Sequence, residues 1–347
     1  MSLTEVPVEV HVAPGESIQD AVDTCGPGAV VRLAEGTYPG GIVFARSGIS
    51  LVGAGAGRTV IVPGDTTVTS SIPALHDAPE AVAHGIAAHS VDDISIEGLT
   101  LRGFSGAGVY VHTVSGIRLV DVESVDNRVW GLYLRESTRI EVLRCRAEGS
   151  QYGAIALAFC ASADAVIADS EATASAFGVF IDNSRRARVL RNRCHGNAAG
   201  ILLLHQTYEG EPPGGVSDCL IADNDVTDNT LVAGGDDPEA LGAAGPPISG
   251  VGIAMIGAQR VGIVGNRLHG NKPGGMSVMG AALVIGTSAD WGGSDSTDNA
   301  VEWNTITGNS PLDVQIGTDV ANQRFRNNVV GATAPEAIDG CEPERTT

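Results

Sequence analysis

Apolar residues recur along this chain in short alternating bursts, and the bursts themselves recur at a near-constant interval. One set begins at Ile94, Ile117, Ile140, Ala165 and Ala187, so successive starts are 22 to 25 residues apart. A second set opens on a glycine: Gly85, Gly108, Gly131, Gly153, Gly178, Gly200. The first and third residues after those glycines read Val109/Val111, Leu132/Leu134, Ala154/Ala156, Val179/Ile181 and Ile201/Leu203. A period of two is that of a strand, so these residues are expected to face a core and the ones between them to face out. Two columns of corner residues link the bursts. One reads Leu99, Val122, Cys145, Ser170, Asn192, Asn224, Asn266, Asn304, Asn327, and the other Asn127, Ser150, Ser175, Asn197, Asn229, Asn271, Asn309. In the later coils both corners are asparagine, as in Asn192-Arg-Cys-His-Gly-Asn197 and Asn266-Arg-Leu-His-Gly-Asn271.

Such a repeat predicts a solenoid, in which each coil stacks on the next and shares one continuous interior. Asparagine suits its corners for two reasons. It tolerates the left-handed backbone of a tight bend, and its amide can bond the same amide one coil away, leaving no buried polar group unpaired. Helical solenoids are excluded, because Gly, Asn and β-branched residues stand where long helices would run. The fold expected is all-β: a parallel solenoid of about ten coils spanning residues 1–335, with a polar tail at 336–347. Residues 8–60 would form a cap. Within it, residues 8–12 read as a strand, and Ile18, Ala21 and Val22 as the apolar face of a helix over 17–24, stopped by Gly26-Pro27-Gly28. Four stretches break the coil spacing, at 64–83, 205–217, 230–249 and 287–299; they read as loops projecting from the stack.

Composition changes the picture in three ways. The net charge of −20 disfavours nucleic acid and anionic membrane surfaces as partners. The six cysteines lack C-x-x-C spacing and are too irregularly placed for a disulfide framework, and Cys145, on an inward corner, reads as a small buried residue. No apolar run reaches the ~20 residues of a membrane span, and residues 1–10 lack the pattern of a signal peptide. A cytoplasmic location is the expectation from the sequence as it stands, and a secreted one if a leader has been removed. Gly53-Ala-Gly-Ala-Gly-Arg58 is read as a turn, since no helix follows to receive a phosphate.

Gly15-Glu-Ser-Ile-Gln19, Ala21-Val22, Val30-Val-Arg-Leu33 and Glu35-Gly-Thr-Tyr38, followed by the Asn-x-x-x-[Gly/Asp]-Asn coils, resemble the pectin-lyase-like right-handed parallel β-helix proteins. The repeats also resemble those of the carbohydrate-binding and sugar-hydrolase group. The resemblance implies a single-stranded right-handed β-helix over residues ~8–335. Function stays open, because that fold hosts lyases, hydrolases, epimerases, isomerases and binders.

The outward residues of the glycine-led strand carry the candidate chemistry. Two places after glycine they read Ala87, Tyr110, Tyr133, Ile155, Phe180, Leu202 and Ala254; four places after, His89, His112, Arg135, Leu157, Asp182, Leu204 and Ile256. Coils stack at about 4.8 Å, so His89, His112 and Arg135 should align, flanked by Tyr110 and Tyr133 and adjoining Glu136. Those are the residue types of general acids, bases and anion clamps. A second group joins Asp182, Asn183 and His205 beneath a loop carrying Tyr208, Glu209 and Glu211. The expected catalytic residues are therefore His112, Tyr133, Arg135, Asp182 and His205. The expected substrate-binding residues are His89, Tyr110, Glu136, Phe180, Asn183, Leu202 and Tyr208. Asp290, Asp295 and Asp298 lack a recognisable ligand spacing, and no cofactor is expected unless calcium binds carboxylates of the loops.

Two function classes follow. One is a carbohydrate-active enzyme, a uronate lyase or C5-epimerase, with Arg135 on the carboxylate, His112 as base and Tyr133 as acid. The other is an isomerase or cyclase of a small, partly hydrophobic metabolite, or a non-catalytic glycan-binding scaffold. The charge, the missing signal peptide and the apolar outward residues Ile155, Leu157, Phe180, Leu202 and Leu204 favour this second class. Oligomeric state is not legible.

Overall fold

The computed structural model describes residues 8–64, 68–70, 82–235, 241–242 and 245–344. Within them the chain winds through three parallel sheets of twelve, twelve and eleven strands, each coil adding one strand to each sheet. This is a right-handed parallel β-helix, closed at its start by one short helix, α1 (Ile18–Thr24). Ser17 caps α1 by accepting a hydrogen bond from Asp20 N, and Ile18, Ala21 and Val22 are its buried face. An open solenoid end exposes apolar core and unpaired strand edges, and α1 packs there against the first strands.

The register of coils follows the predicted spacing: Ile94 pairs with Ile117 and Ile117 with Ile140. A short strand of its own lies between the two asparagines of each motif. Arg193–His195, Asp225–Thr227, Arg267–His269 and Thr305–Ile306 belong to the second sheet. Each sends one side chain inward: Cys194, Val226, Leu268 and Ile306 are fully buried. The glycine-led strand is thus the third of each coil. A corner asparagine bounds this short strand on either side, and both columns form ladders. Asn192 Nδ2 donates to Asn224 (3.0 Å), Asn224 to Asn266 (2.9 Å), Asn266 to Asn304 (3.0 Å) and Asn304 to Asn328 (2.9 Å). The last rung is Asn328 rather than Asn327. Asn327 takes the left-handed backbone (φ 54°) of the position just before it. The second ladder runs Asn197, Asn229, Asn271, Asn309 and ends on Asp313.

Two expectations are corrected. Gly153 does not occupy the slot of Gly131 and Gly178. It pairs with Phe177, and Ile155 pairs with Val179. Ala154 holds the glycine slot, small enough to lie there, so Ile155 and Leu157 point inward and are fully buried. Ala156 and Ala158 face outward instead. The solenoid also continues past residue 335, because Cys341–Pro343 adds a strand to the second sheet beside Asn328–Val330. All six cysteines are free.

Of the four interruptions, 205–215 contains no regular element before the strand Val216–Ser217. Residues 287–299 include the short turn Ala289–Trp291. Val68–Ser70 pairs antiparallel with Val82–His84, and Val232–Ala233 with Ile248–Ser249; residues 65–67, 71–81, 236–240 and 243–244 lie outside the described part.

Candidate functional site

The outer face of the third sheet is not an open groove along its length. Tyr110, Tyr133, Ala156, Phe180, Leu202, Ala254 and Val284 form one column of it, and all are buried. They make a second apolar cluster outside the solenoid, joined by Trp130, Phe159, Ile248 and, at its margin, Tyr208 and Met279. Rings stack along it: His84 on Tyr110 (4.6 Å between centroids), Tyr110 on Tyr133 (5.6 Å), Tyr133 against Trp130 (4.8 Å) and Trp130 on Phe180 (6.2 Å). Leu202 continues this apolar strip, and Phe180 also packs on Phe177 (5.0 Å).

The polar residues sit one column over, in register: His89 pairs with His112, His112 with Arg135, and Arg135 with Ala158, which pairs with Asp182. Arg135 is the centre. Its side chain is 5% exposed. Nε donates to Glu136 Oε1 (2.9 Å), Nη1 donates to Glu211 Oε1 (3.0 Å), and Nη2 donates to the other oxygen of Glu211. The guanidinium lies 4.9 Å above the Phe159 ring. Burial opposes its charge, but the hydrogen bonds and charge of Glu211 outweigh that and keep it firmly protonated. Ala158, too small to compete for space, leaves the region between Arg135 and Asp182 open to Phe159 and the 205–215 strap.

Asp182 is the second buried polar group. Burial, and after it the charge of Glu211, push its carboxyl well above the ordinary range, against the opposing pull of Arg135 and a hydrogen bond with Tyr208. Its Oδ1 has no hydrogen-bond partner among the described residues, and neither has the Tyr133 hydroxyl, which lies beside the guanidinium. Burial also raises Tyr133 and Tyr208, so both phenols are neutral near pH 7, and for all three groups burial favours the uncharged form.

At the accessible end, His112 Nε2 lies 3.2 Å from Glu136 Oε1, the oxygen that Arg135 Nε also approaches. The His89 ring meets His112 edge-on at 4.9 Å and is exposed. Burial lowers the His112 pKa, with Glu136 opposing, so the imidazole is neutral at pH 7. An ionised Glu136 only accepts hydrogen bonds, which puts the ring proton on Nε2 and leaves Nδ1 with its lone pair.

The structure therefore unites His89, His112, Tyr133, Arg135, Glu136, Asp182 and Tyr208 along one face, but it separates the expected Asp182–His205 pair. His205 Nδ1 meets Ser294 Oγ (2.8 Å) in the 287–299 loop, and Asp182 turns to Tyr208 instead. Asn183 is spent on the strap, its Nδ2 donating to Gln206 O (2.7 Å). Asp295 accepts from Thr287 (2.6 Å) and Asp298 from Asn322 (2.9 Å), and among the described residues no three His, Cys, Asp or Glu are grouped to hold a metal.

Sequence reasoning missed Phe159 altogether and named Glu211 only as a loop acid. Phe159 belongs to a column of left-handed corner residues, after Ser90 (φ 53°), Thr113 (57°) and Glu136 (46°) and before Asn183 (46°). An aromatic ring in that conformation is unusual, and the corrected register at Gly153 is the signal that locates it.

A family model described as the right-handed beta helix region matches residues 84–283, more than half of the chain. The chain belongs to the right-handed β-helix family. No curated protein matches its sequence. Among solved structures it is similar to the A-module of the Azotobacter vinelandii mannuronan C-5 epimerase AlgE4, at TM-score 0.57 and 18% identity, covering 95% of this chain and 94% of that one. It is similar to the Dettilon tailspike protein gp208 (TM-score 0.56, 14% identity), covering 93% of this chain and 58% of that one. A third is the periplasmic alginate epimerase AlgG (TM-score 0.50, 13% identity), covering 91% and 84%. At these identities the likeness is one of fold.

Proposed function

We propose that this β-helix protein acts on a uronate-containing glycan by abstracting the C5 proton, as a C5-epimerase or polysaccharide lyase. The observation that carries the reading is the His89–His112–Glu136–Arg135 line: two imidazoles on adjacent coils, one held neutral by burial and oriented by a carboxylate. A neutral His near its working pH is a suitable general base. His112 Nδ1 takes the C5 proton, and the electron pair left behind is delocalised onto the sugar carboxylate. Returning a proton to the opposite face inverts C5. Breaking the C4–O bond instead, with His89 protonating the leaving oxygen, gives a C4–C5 double bond. Tyr133 is too deeply buried to be that acid. Two of the solved structures sharing the fold carry epimerase names, which supports this chemistry without deciding it.

A second reading rests on the covered apolar strip from Tyr133 to Val284, which suits a compact and partly hydrophobic ligand more than a long polymer. A non-catalytic glycan-binding role fits the same face. Incubating the protein with polymannuronate in deuterated water separates these. Deuterium entering at C5 without unsaturation indicates an epimerase and unsaturated product a lyase, whereas the absence of both removes the catalytic reading. His112→Ala is expected to lower the exchange rate about 10²–10⁴-fold, with the wild-type rate falling as acid protonates His112. Undiminished exchange in that variant excludes His112 as the base.

A further inference from the structure

We propose that Glu211 occupies the carboxylate subsite of this face: Arg135 is built to grip a sugar acid, and the strap 205–215 fills the grip with its own carboxylate. This rests on the reading of the face as a uronate site and names how that site is held closed.

Three observations support it. First, Glu211 is placed against its surroundings. Glu209, Gly210, Pro212 and Pro213 are exposed, yet the Glu211 side chain is 3% exposed and lies in the fork of a guanidinium on another coil, 76 residues away in sequence. A two-pronged Arg–carboxylate pair is the geometry by which proteins recognise free carboxylates. Second, groups around the fork have unused capacity. The Tyr133 hydroxyl and Asp182 Oδ1 are buried without partners among the described residues. A buried polar group costs free energy when left unpaired, and an arriving sugar acid brings hydroxyls and a second oxygen to satisfy them. Third, the strap has no strand or helix, and apart from Tyr208 and Glu211 its ties run through its ends: His205 Nδ1 with Ser294 Oγ (2.8 Å), Asn183 Nδ2 to Gln206 O (2.7 Å), Thr207 N to Trp291 O (3.1 Å), Thr207 Oγ1 to Gly292 O (2.6 Å), and Arg185 to Gly214 O (3.2 Å). The middle is pinned through Glu211 and Tyr208, both in contact with the site.

A tethered carboxylate competes at high effective concentration with any ligand in solution. The apparent affinity for a uronate is therefore reduced by the fraction of time the strap is open. Glu211→Gln and Glu211→Ala remove the competing charge and are expected to tighten binding about 10–100-fold, for an open population of ~1–10%. The measurement is calorimetric titration with trimannuronate, using neutral mannotriose as control. Mannotriose is expected to bind every variant equally, and Glu211→Ala combined with Arg135→Met is expected to lose the gain. Because Glu211→Ala leaves a buried guanidinium half-paired, its melting temperature is measured with and without sodium acetate. Acetate is expected to raise it in Glu211→Ala and leave the wild type and the double variant unchanged. Unchanged trimannuronate affinity in a folded Glu211→Gln protein overturns the proposal, as does a Glu211→Ala protein indifferent to acetate. Both readouts are of binding, so they hold whether or not His112 performs catalysis: tighter binding without C5 exchange refutes the catalytic reading and leaves this one standing.

Discussion

Replacing Asp182 by Asn tests the electrostatics of the site through folding alone. The carboxyl is buried on the outward face, raised well above its ordinary value of 3.8 by burial and then by Glu211. The native state therefore holds a proton that the unfolded chain has released at pH above about 4. By linkage, the contribution of this group is fullest at acid pH and is lost as pH rises, at up to ~1.4 kcal/mol per unit until the native carboxyl ionises. Asn keeps the size and a hydrogen bond with Tyr208 but binds no proton. From about pH 4.5 upward the stability of Asp182→Asn relative to wild type should thus increase by up to ~1.4 kcal/mol per unit for as long as the native carboxyl holds its proton. Urea unfolding followed by circular dichroism at half-unit steps of pH measures both proteins under the same conditions, so groups common to them cancel. A difference independent of pH would falsify the assignment of a protonated Asp182, and a difference that shrinks with rising pH would reverse its sign.

The opposite slope is expected at His84, whose Nδ1 accepts from Ala107 N (2.9 Å) and whose pKa burial lowers to about 4. Stability should fall as pH drops from ~6.5 towards 4, again by up to ~1.4 kcal/mol per unit, and His84→Asn, which offers an acceptor oxygen but no titration, should flatten that limb. A stability difference between wild type and His84→Asn that stays constant across this window counts against a neutral buried His84. In the ladder, Asn224 accepts from Asn192 N (2.8 Å) and Nδ2 (3.0 Å). Asn224→Leu leaves Asn192 N and one hydrogen of Asn192 Nδ2 without an acceptor in a dry corner, and at about 1–3 kcal/mol each the expected loss is roughly 2–6 kcal/mol by urea denaturation. A loss below ~0.5 kcal/mol contradicts the pairing.

The sequence by itself determined the winding of the chain. Glycine-led alternation fixed which residues face the interior at Val109, Leu132, Val179 and Ile201, and the asparagine corners marked the two bends of each later coil. These are local requirements: a strand has period two, a tight bend needs a left-handed residue, and a buried corner amide needs its neighbour. The same local logic aligns His89, His112 and Arg135 on adjacent coils. It failed at Gly153, because Ala154 is also small enough for the glycine slot, and a one-residue slip reverses every side chain of a strand.

Only the tertiary structure decided which outward residues meet solvent. Arg135 and Asp182 are outward in register yet buried, because a strap distant in sequence brings Glu211 and Tyr208 down on them. Likewise, His205 is drawn to Ser294, 89 residues away, rather than to Asp182 on the adjoining coil. A repeat specifies the scaffold through contacts one coil apart, whereas the loops that break the repeat choose their partners by long-range packing and charge, for which spacing along the chain gives no rule.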